Sequence, residues 1–207
     1  MSITMRAHAS ARRGGLRIMS VAAKGLLLTL AVLELACGGG GSSTGKVISP
    51  SPTPPTASFV PARFTPGGHL VTMAEGTKAG DAVTVLVQVS GTSGLYGAGF
   101  NVGYNADYVT YVGWSAGGLL ETGGNQVNYI VSNKPSLGAV VVNATRVGSE
   151  PAIDVSGTMT VITLTFRVAT MGSFPLTFES DATLYDAQIP SQPIPGLVWY
   201  GGSLQGS

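Results

Sequence analysis

Nucleophilic catalysis by serine or cysteine needs a base beside the nucleophile. After Cys37 this sequence offers one histidine for the task, His69. It sits in Gly67-Gly68-His69-Leu70, at the entry to an apolar stretch, and no Gly-x-Ser-x-Gly elbow stands elsewhere. A surface-loop histidine is the expected reading. Zinc is excluded on ligand count, with one histidine and no cysteine beyond Cys37. There is no phosphate-binding or dinucleotide fingerprint; Gly97-x-Gly99-x-x-x-Gly103 has the wrong spacing. Two carboxylate pairs, Glu150 with Asp154 and Glu179 with Asp181, have the residue type of a glycosidase site. Both fall in or near turns, where solvated acids are the default. Asp181 and Asp186 flank Thr183-Leu184-Tyr185 and could contribute to a calcium site, but the acidic loop that normally carries one is missing. The expectation is no enzyme, no cofactor and no metal.

The elements that carry these residues read as strands. Ala82 to Val89 (AVTVLVQV) is β-branched and runs into the turn cluster Ser90-Gly91-Thr92-Ser93-Gly94. Tyr96 to Tyr104 places Ala98, Phe100, Val102 and Tyr104 on one face and Gly97, Gly99, Asn101 and Gly103 on the other. Further strands are expected over 108–114, 127–131, 139–146, 158–169, 174–178, 183–185 and 197–204, with one helical turn at 117–122. No longer stretch has helical period and caps. About nine short strands predict an all-β, two-sheet β-sandwich of jelly-roll topology. The expected core is Val85, Val87, Phe100, Val102, Tyr104, Val140, Val142, Ile162, Leu164, Phe166, Leu176 and Phe178.

The start of the chain is of another kind. Gly25 to Leu33 (GLLLTLAVL) is an apolar run behind Lys24 and several arginines, too short for a permanent span. It ends in Glu34-Leu35-Ala36-Cys37, which resembles a bacterial lipobox, with Glu34 where a leucine is usual. That resemblance implies a signal peptide over 1–36, cleavage before Cys37 and lipidation of its sulfur. Such acyl chains anchor by about 0.8 kcal/mol per buried CH₂. Either Met1 or Met19 serves as the start of such a signal. Residues 38–57, GGGGSSTGKVISPSPTPPTA, read as a tether, flexible at first and stiffened by its prolines. The folded domain is expected over 58–207, exported and held by lipid to a bacterial membrane on the periplasmic or cell-surface side.

Composition supports this division. Charged residues are 10% of the chain and glycines number 30, which suits short strands and tight turns. The formal net charge is +1, but beyond Cys37 six basic residues face nine acidic ones. That part lacks a basic patch, so nucleic acid is not an expected partner. With a single cysteine in the chain, no intrachain disulfide is possible.

Several segments, in order, resemble a cohesin domain. They are Val83 to Val89; Leu95 to Asn105 followed by Tyr108 to Val112; Leu137 to Ala144; Gly157 to Val168; Phe174 to Phe178; and the closing Gly201-Gly202-Ser203-Leu204. The resemblance covers about residues 69 to 205. It implies a nine-stranded jelly roll related to carbohydrate-binding modules, and a non-catalytic role in which a dockerin module docks on one flat sheet face. By position that face would use Gly97, Gly99, Asn101, Val141, Asn143 and Thr145. The glycines depart from better-known cohesins, which carry acidic or bulkier residues there. They either admit a partner's backbone closely or relieve crowding beside a neighbouring loop.

The leading expectation is therefore a membrane-anchored module that binds a dockerin-like protein. The alternative is a carbohydrate-binding module of the envelope, with a polysaccharide stacked on Trp114, Tyr129 or Trp199. A third is a structural subunit of an envelope complex that contributes a strand edge.

Overall fold

Val83, Val85, Val87 and Val89 are buried while the residues between them are half-exposed, the period of two that a one-sided strand requires. That strand is β3 (Ala82–Leu95) of a computed structural model that describes residues 53–63 and 68–207. Cys37 and the tether up to residue 52 lie outside the described residues.

Among the described residues there are twelve strands and no α-helix. Besides β3 they are β1 (Ala57–Pro61), β2 (Leu70–Ala79), β4 (Gly97–Gly103), β5 (Val109–Ala116), β6 (Val127–Lys134), β7 (Ala139–Arg146), β8 (Ile153–Val168), β9 (Gly172–Phe178), β10 (Thr183–Tyr185), β11 (Val198–Tyr200) and β12 (Gly202–Gly206). One sheet runs β1-β12-β9-β4-β7-β6, with β10 also paired to β4; the other runs β11-β2-β3-β8-β5. Every pairing is antiparallel except that of β11 with β2. The all-β, two-sheet sandwich expected from the sequence is the fold, with more strands than the nine expected.

The two inner faces meet in one core. Val85, Val87, Ile162, Leu164 and Phe166 of one sheet pack with Phe100, Val102, Val140, Val142 and Leu176 of the other. Tyr104 is buried beside them, while Phe178 is only partly buried, set edge-on to Phe100 at 5.5 Å between ring centres. β1 ties the sheets together: Phe59 N donates to Glu75 Oε2 at 2.7 Å, and Ala57 N to Gly80 O at 2.8 Å. Ala57, expected as the end of the tether, is wholly buried in β1.

Three local expectations change. The cluster at 90–94 does not end β3; it is a bulged stretch still paired with β8, through Thr92 with Val155 and Leu95 with Ile153. The stretch 197–204 is two strands in different sheets. They part at Gly201, where any side chain would strike the carbonyl of Leu176, so the chain crosses between the layers only with glycine there. Instead of a helical turn at 117–122 there are successive tight turns, with Leu119 N bound to Thr160 O and Thr122 N to Leu119 O. The turn places Leu119 and Leu120 in the core.

Candidate functional site

Because cross-strand partners in an antiparallel pair share a face, the register of β4, β7 and β6 sets out a grid on the outside of the larger sheet. Its rows are Asn101–Val141–Ser132, Gly99–Asn143–Ile130 and Gly97–Thr145–Asn128. Asn128, Ile130, Asn143 and Thr145 are exposed, and Asn101, Val141 and Ser132 half-exposed. All six residues expected on a docking face thus lie on one surface of one sheet.

The face is not an open glycine strip. Gly97 and Gly99 are themselves buried. A side chain at Gly99 would meet Asn143 Oδ1 at 3.1 Å and the ring of Tyr185 at 3.3 Å; one at Gly97 would meet Ala144 O and Thr145 Oγ1. Tyr185, brought alongside by the β10–β4 pairing, sets its ring against Gly99. The glycines here make room for neighbouring side chains, the crowding role weighed against close backbone approach.

Sequence reasoning did not place Ile130 or Tyr185 on this face, nor Glu179 and Asp181. Ile130 is 58% exposed although it falls within the apolar run Val127 to Val131. Strict counting by twos from the inward Tyr129 would have found it. Asn101 Nδ2 donates to Glu179 Oε2 and to Asp181 Oδ2, both at 3.0 Å, so these carboxylates flank one amide at the edge of the grid. The other carboxylate pair is not brought together in this way. Asp154 Oδ1 accepts from Gly94 N at 2.9 Å, while Glu150 lines a separate cleft. Asp186 Oδ1 accepts two backbone N–H groups, from Gln188 at 3.1 Å and Gln192 at 2.8 Å. His69 is exposed, and among the described residues no hydrogen bond joins its side chain to Ser93, Asp154 or Asp186. Among the described residues there is also no group of three His, Cys, Asp or Glu placed to hold a metal.

The three aromatic residues of the carbohydrate alternative are in different settings. Trp199 is half-buried and packs on Phe178 at 4.9 Å and Phe100 at 5.9 Å, against the core. Trp114 is 41% exposed at the seam between edge strands β5 and β6, with its ring 4.9 Å from that of Tyr129. The Tyr129 hydroxyl lies 2.9 Å from Glu121 Oε1 and 3.1 Å from Val161 O. Burial pushes that phenol's pKa up, and the neighbouring Glu121 carboxylate pushes it further in the same direction. The three do not form one platform: Trp114 and Tyr129 close the lateral seam, and Trp199 serves the interior.

Residues 70–192 match the family model of the cohesin domain, more than half of the chain. No curated protein matches the sequence. Among solved structures, the type II cohesin dyad from the adaptor ScaA scaffoldin of Acetivibrio cellulolyticus is similar at 15% identity and a TM-score of 0.52. The match covers 71% of this chain and 47% of the dyad, so this chain spans about half of that protein's length. The second type II cohesin module of the same scaffoldin matches at 15% identity and a TM-score of 0.53, over 65% of this chain and 87% of the module. The seventh ScaB type I cohesin of Pseudobacteroides cellulosolvens matches at 17% and 0.51, over 66% and 90%. At these identities the likeness is one of fold. Taken with the family match over the strands that build both sheets, it establishes that the chain belongs to the cohesin domain family.

Proposed function

We propose that the outer face of β4, β7 and β6 docks a dockerin-like protein module, and that the chain does so from a bacterial membrane to which lipidated Cys37 anchors it. Cohesins are non-catalytic docking modules. One neighbouring structure, of a type II cohesin from Acetivibrio cellulolyticus, is a complex with an X-dockerin partner.

The observation that carries the reading is the exposed Ile130 set among Asn128, Asn143, Thr145 and Val141 on a continuously paired sheet. An apolar side chain on the edge strand, bordered by Asn128, Ser132 and Asn143, on strands that cannot shift register without turning the core outward, is how a rigid interface presents an anchor. The flanking Glu179 and Asp181 add negative charge at the border.

Titration of calcium-loaded dockerin modules against residues 49–207, the compact unit that holds both sheets, tests the docking. Binding is expected, and Ile130→Asp or Asn143→Arg should weaken it more than about tenfold, as for a central interface residue. A panel of dockerins of both types that all fail to bind the intact unit would refute it. Mass spectrometry of the mature N-terminus tests the anchor: a diacylglyceryl group on Cys37 is expected, and an unmodified cysteine or a different cleavage site rejects it.

A further inference from the structure

Past the end of the grid, at Thr145, the surface drops into a cleft of about 510 Å³ between residues 148–150 and the loop 186–191. We propose that this cleft takes a basic side chain, arginine or lysine, from the partner docked on the adjoining face; the inference rests on the docking reading and specifies the partner's chemistry.

Three features argue for it. The first is continuity, since Thr145 belongs both to the outer row of β7 and to the cleft wall. Whatever covers the grid reaches the cleft mouth. The second is rigidity. Asp186 Oδ1 staples its loop through Gln188 N and Gln192 N, and Gln192 Nε2 binds Pro190 O at 3.0 Å. Across the cleft the Tyr96 hydroxyl donates to Gly148 O and holds the opposing wall. A cleft formed before binding spares the partner the cost of ordering it.

The third feature is chemical. Ile189 is 100% exposed on this fixed loop, and with Ala187 and Pro190 it makes an aliphatic wall. Among the described residues the charged groups of the lining are Glu150 and Asp186, with no lysine or arginine. The Glu150 carboxylate has no hydrogen bond or ion pair among the described residues. An apolar wall ending in unneutralised carboxylates suits a long side chain whose methylenes lie on the isoleucine and whose cationic head stays near the acids. The Tyr96 ring adds a face on which a guanidinium can rest. An acidic side chain would be repelled there, and a purely apolar one would desolvate the Glu150 carboxylate without compensation. The volume lies within the range of about 300–1,000 Å³ usual for ligand sites, enough for one such side chain with water.

The test uses ¹⁵N-labelled residues 49–207 titrated with Nα-acetyl-arginine methylamide, Nα-acetyl-lysine methylamide, and the norleucine and glutamate analogues. Saturable shifts at the amides of Gly148, Glu150 and Gln188 are expected for the two basic probes. Glu150→Gln should weaken them about fivefold, the scale of a solvent-exposed ion pair. Equal response to norleucine, or none to the basic probes, overturns the proposal. Asn143→Arg separates the two readings: it should abolish dockerin capture and leave the arginine response intact. An arginine response in a protein that captures no dockerin removes the docking reading alone. Dockerin capture without any arginine response removes the cleft proposal alone.

Discussion

Tyr129→Phe deletes one oxygen from the seam between the sheets, and its cost follows from what that oxygen touches. The hydroxyl lies 2.9 Å from Glu121 Oε1, and Glu121 Oε2 is buried with no partner among the described residues. Without the phenol, neither oxygen of that carboxylate keeps a side-chain donor. A hydrogen bond to a charged group contributes about 1.5–3 kcal/mol, so a loss of about 2 kcal/mol is expected. In a domain of this size that lowers Tm by about 4–8 °C. Differential scanning calorimetry and urea unfolding of residues 49–207 measure it. A double-mutant cycle with Glu121→Gln assigns the loss to the pair, because coupled neighbours deviate from additivity by about 0.5 kcal/mol or more. A Tyr129→Phe protein within about 0.5 kcal/mol of the parent, or a cycle that closes additively, refutes the reasoning. The same variant bears on the carbohydrate alternative, since a tyrosine held for structure is lost in stability and not in glycan binding.

Three further outcomes are expected. Phe166→Ala should cost about 3–5 kcal/mol, because Phe166 is wholly buried between Tyr104 and Tyr111 and its removal opens a cavity; chemical denaturation with unchanged m-value reads it. Glu75 has its pKa lowered, chiefly by the N–H of Phe59, which outweighs the opposing desolvation, with smaller lowering contributions from Lys78. A depressed carboxylate pKa means stability present above the unfolded-state value and lost as pH falls through the folded-state one. Glu75→Gln should therefore destabilise by about 1 kcal/mol at neutral pH, discounted for solvent contact, and by nothing measurable once acid has protonated the parent; stability curves of both proteins that stay parallel down to acid pH count against it. Burial raises the Tyr111 phenol to about 12, so in an ultraviolet pH titration it should ionise after the exposed tyrosines. Tyr111→Phe should remove only a late-titrating component, and loss of an early one contradicts the burial.

Alternation by twos made much of this protein legible from residue order. In β3, β4, β7 and β8 it marked Val85, Phe100, Val142, Ile162 and Leu164 as interior, and each is buried. It also placed Asn101, Asn143 and Thr145 on one outward face, because side-chain direction along a strand is local geometry. Period two says which face a residue takes and nothing about which strand lies beside it. That is why the stretch 197–204 read as one strand: its two halves pair with β2 and β9, partners more than twenty residues away in sequence. It is also why residue order left open whether Gly97 and Gly99 admit a partner or relieve crowding: Tyr185 is brought beside them by a pairing across more than eighty residues.

From the sequence alone came the two-layer character, the inward residues, the poverty of catalytic groups and the lipobox-like cysteine. Tertiary structure alone decided that Ile130 stands beside Asn143 at the edge of the grid, that Glu179 and Asp181 meet at Asn101, and that Glu150 and Ile189 share a cleft. The division has one physical cause. Burial pattern is written into each strand by its own side chains, whereas the composition of a surface depends on pairings between distant segments, which the sum of all contacts selects.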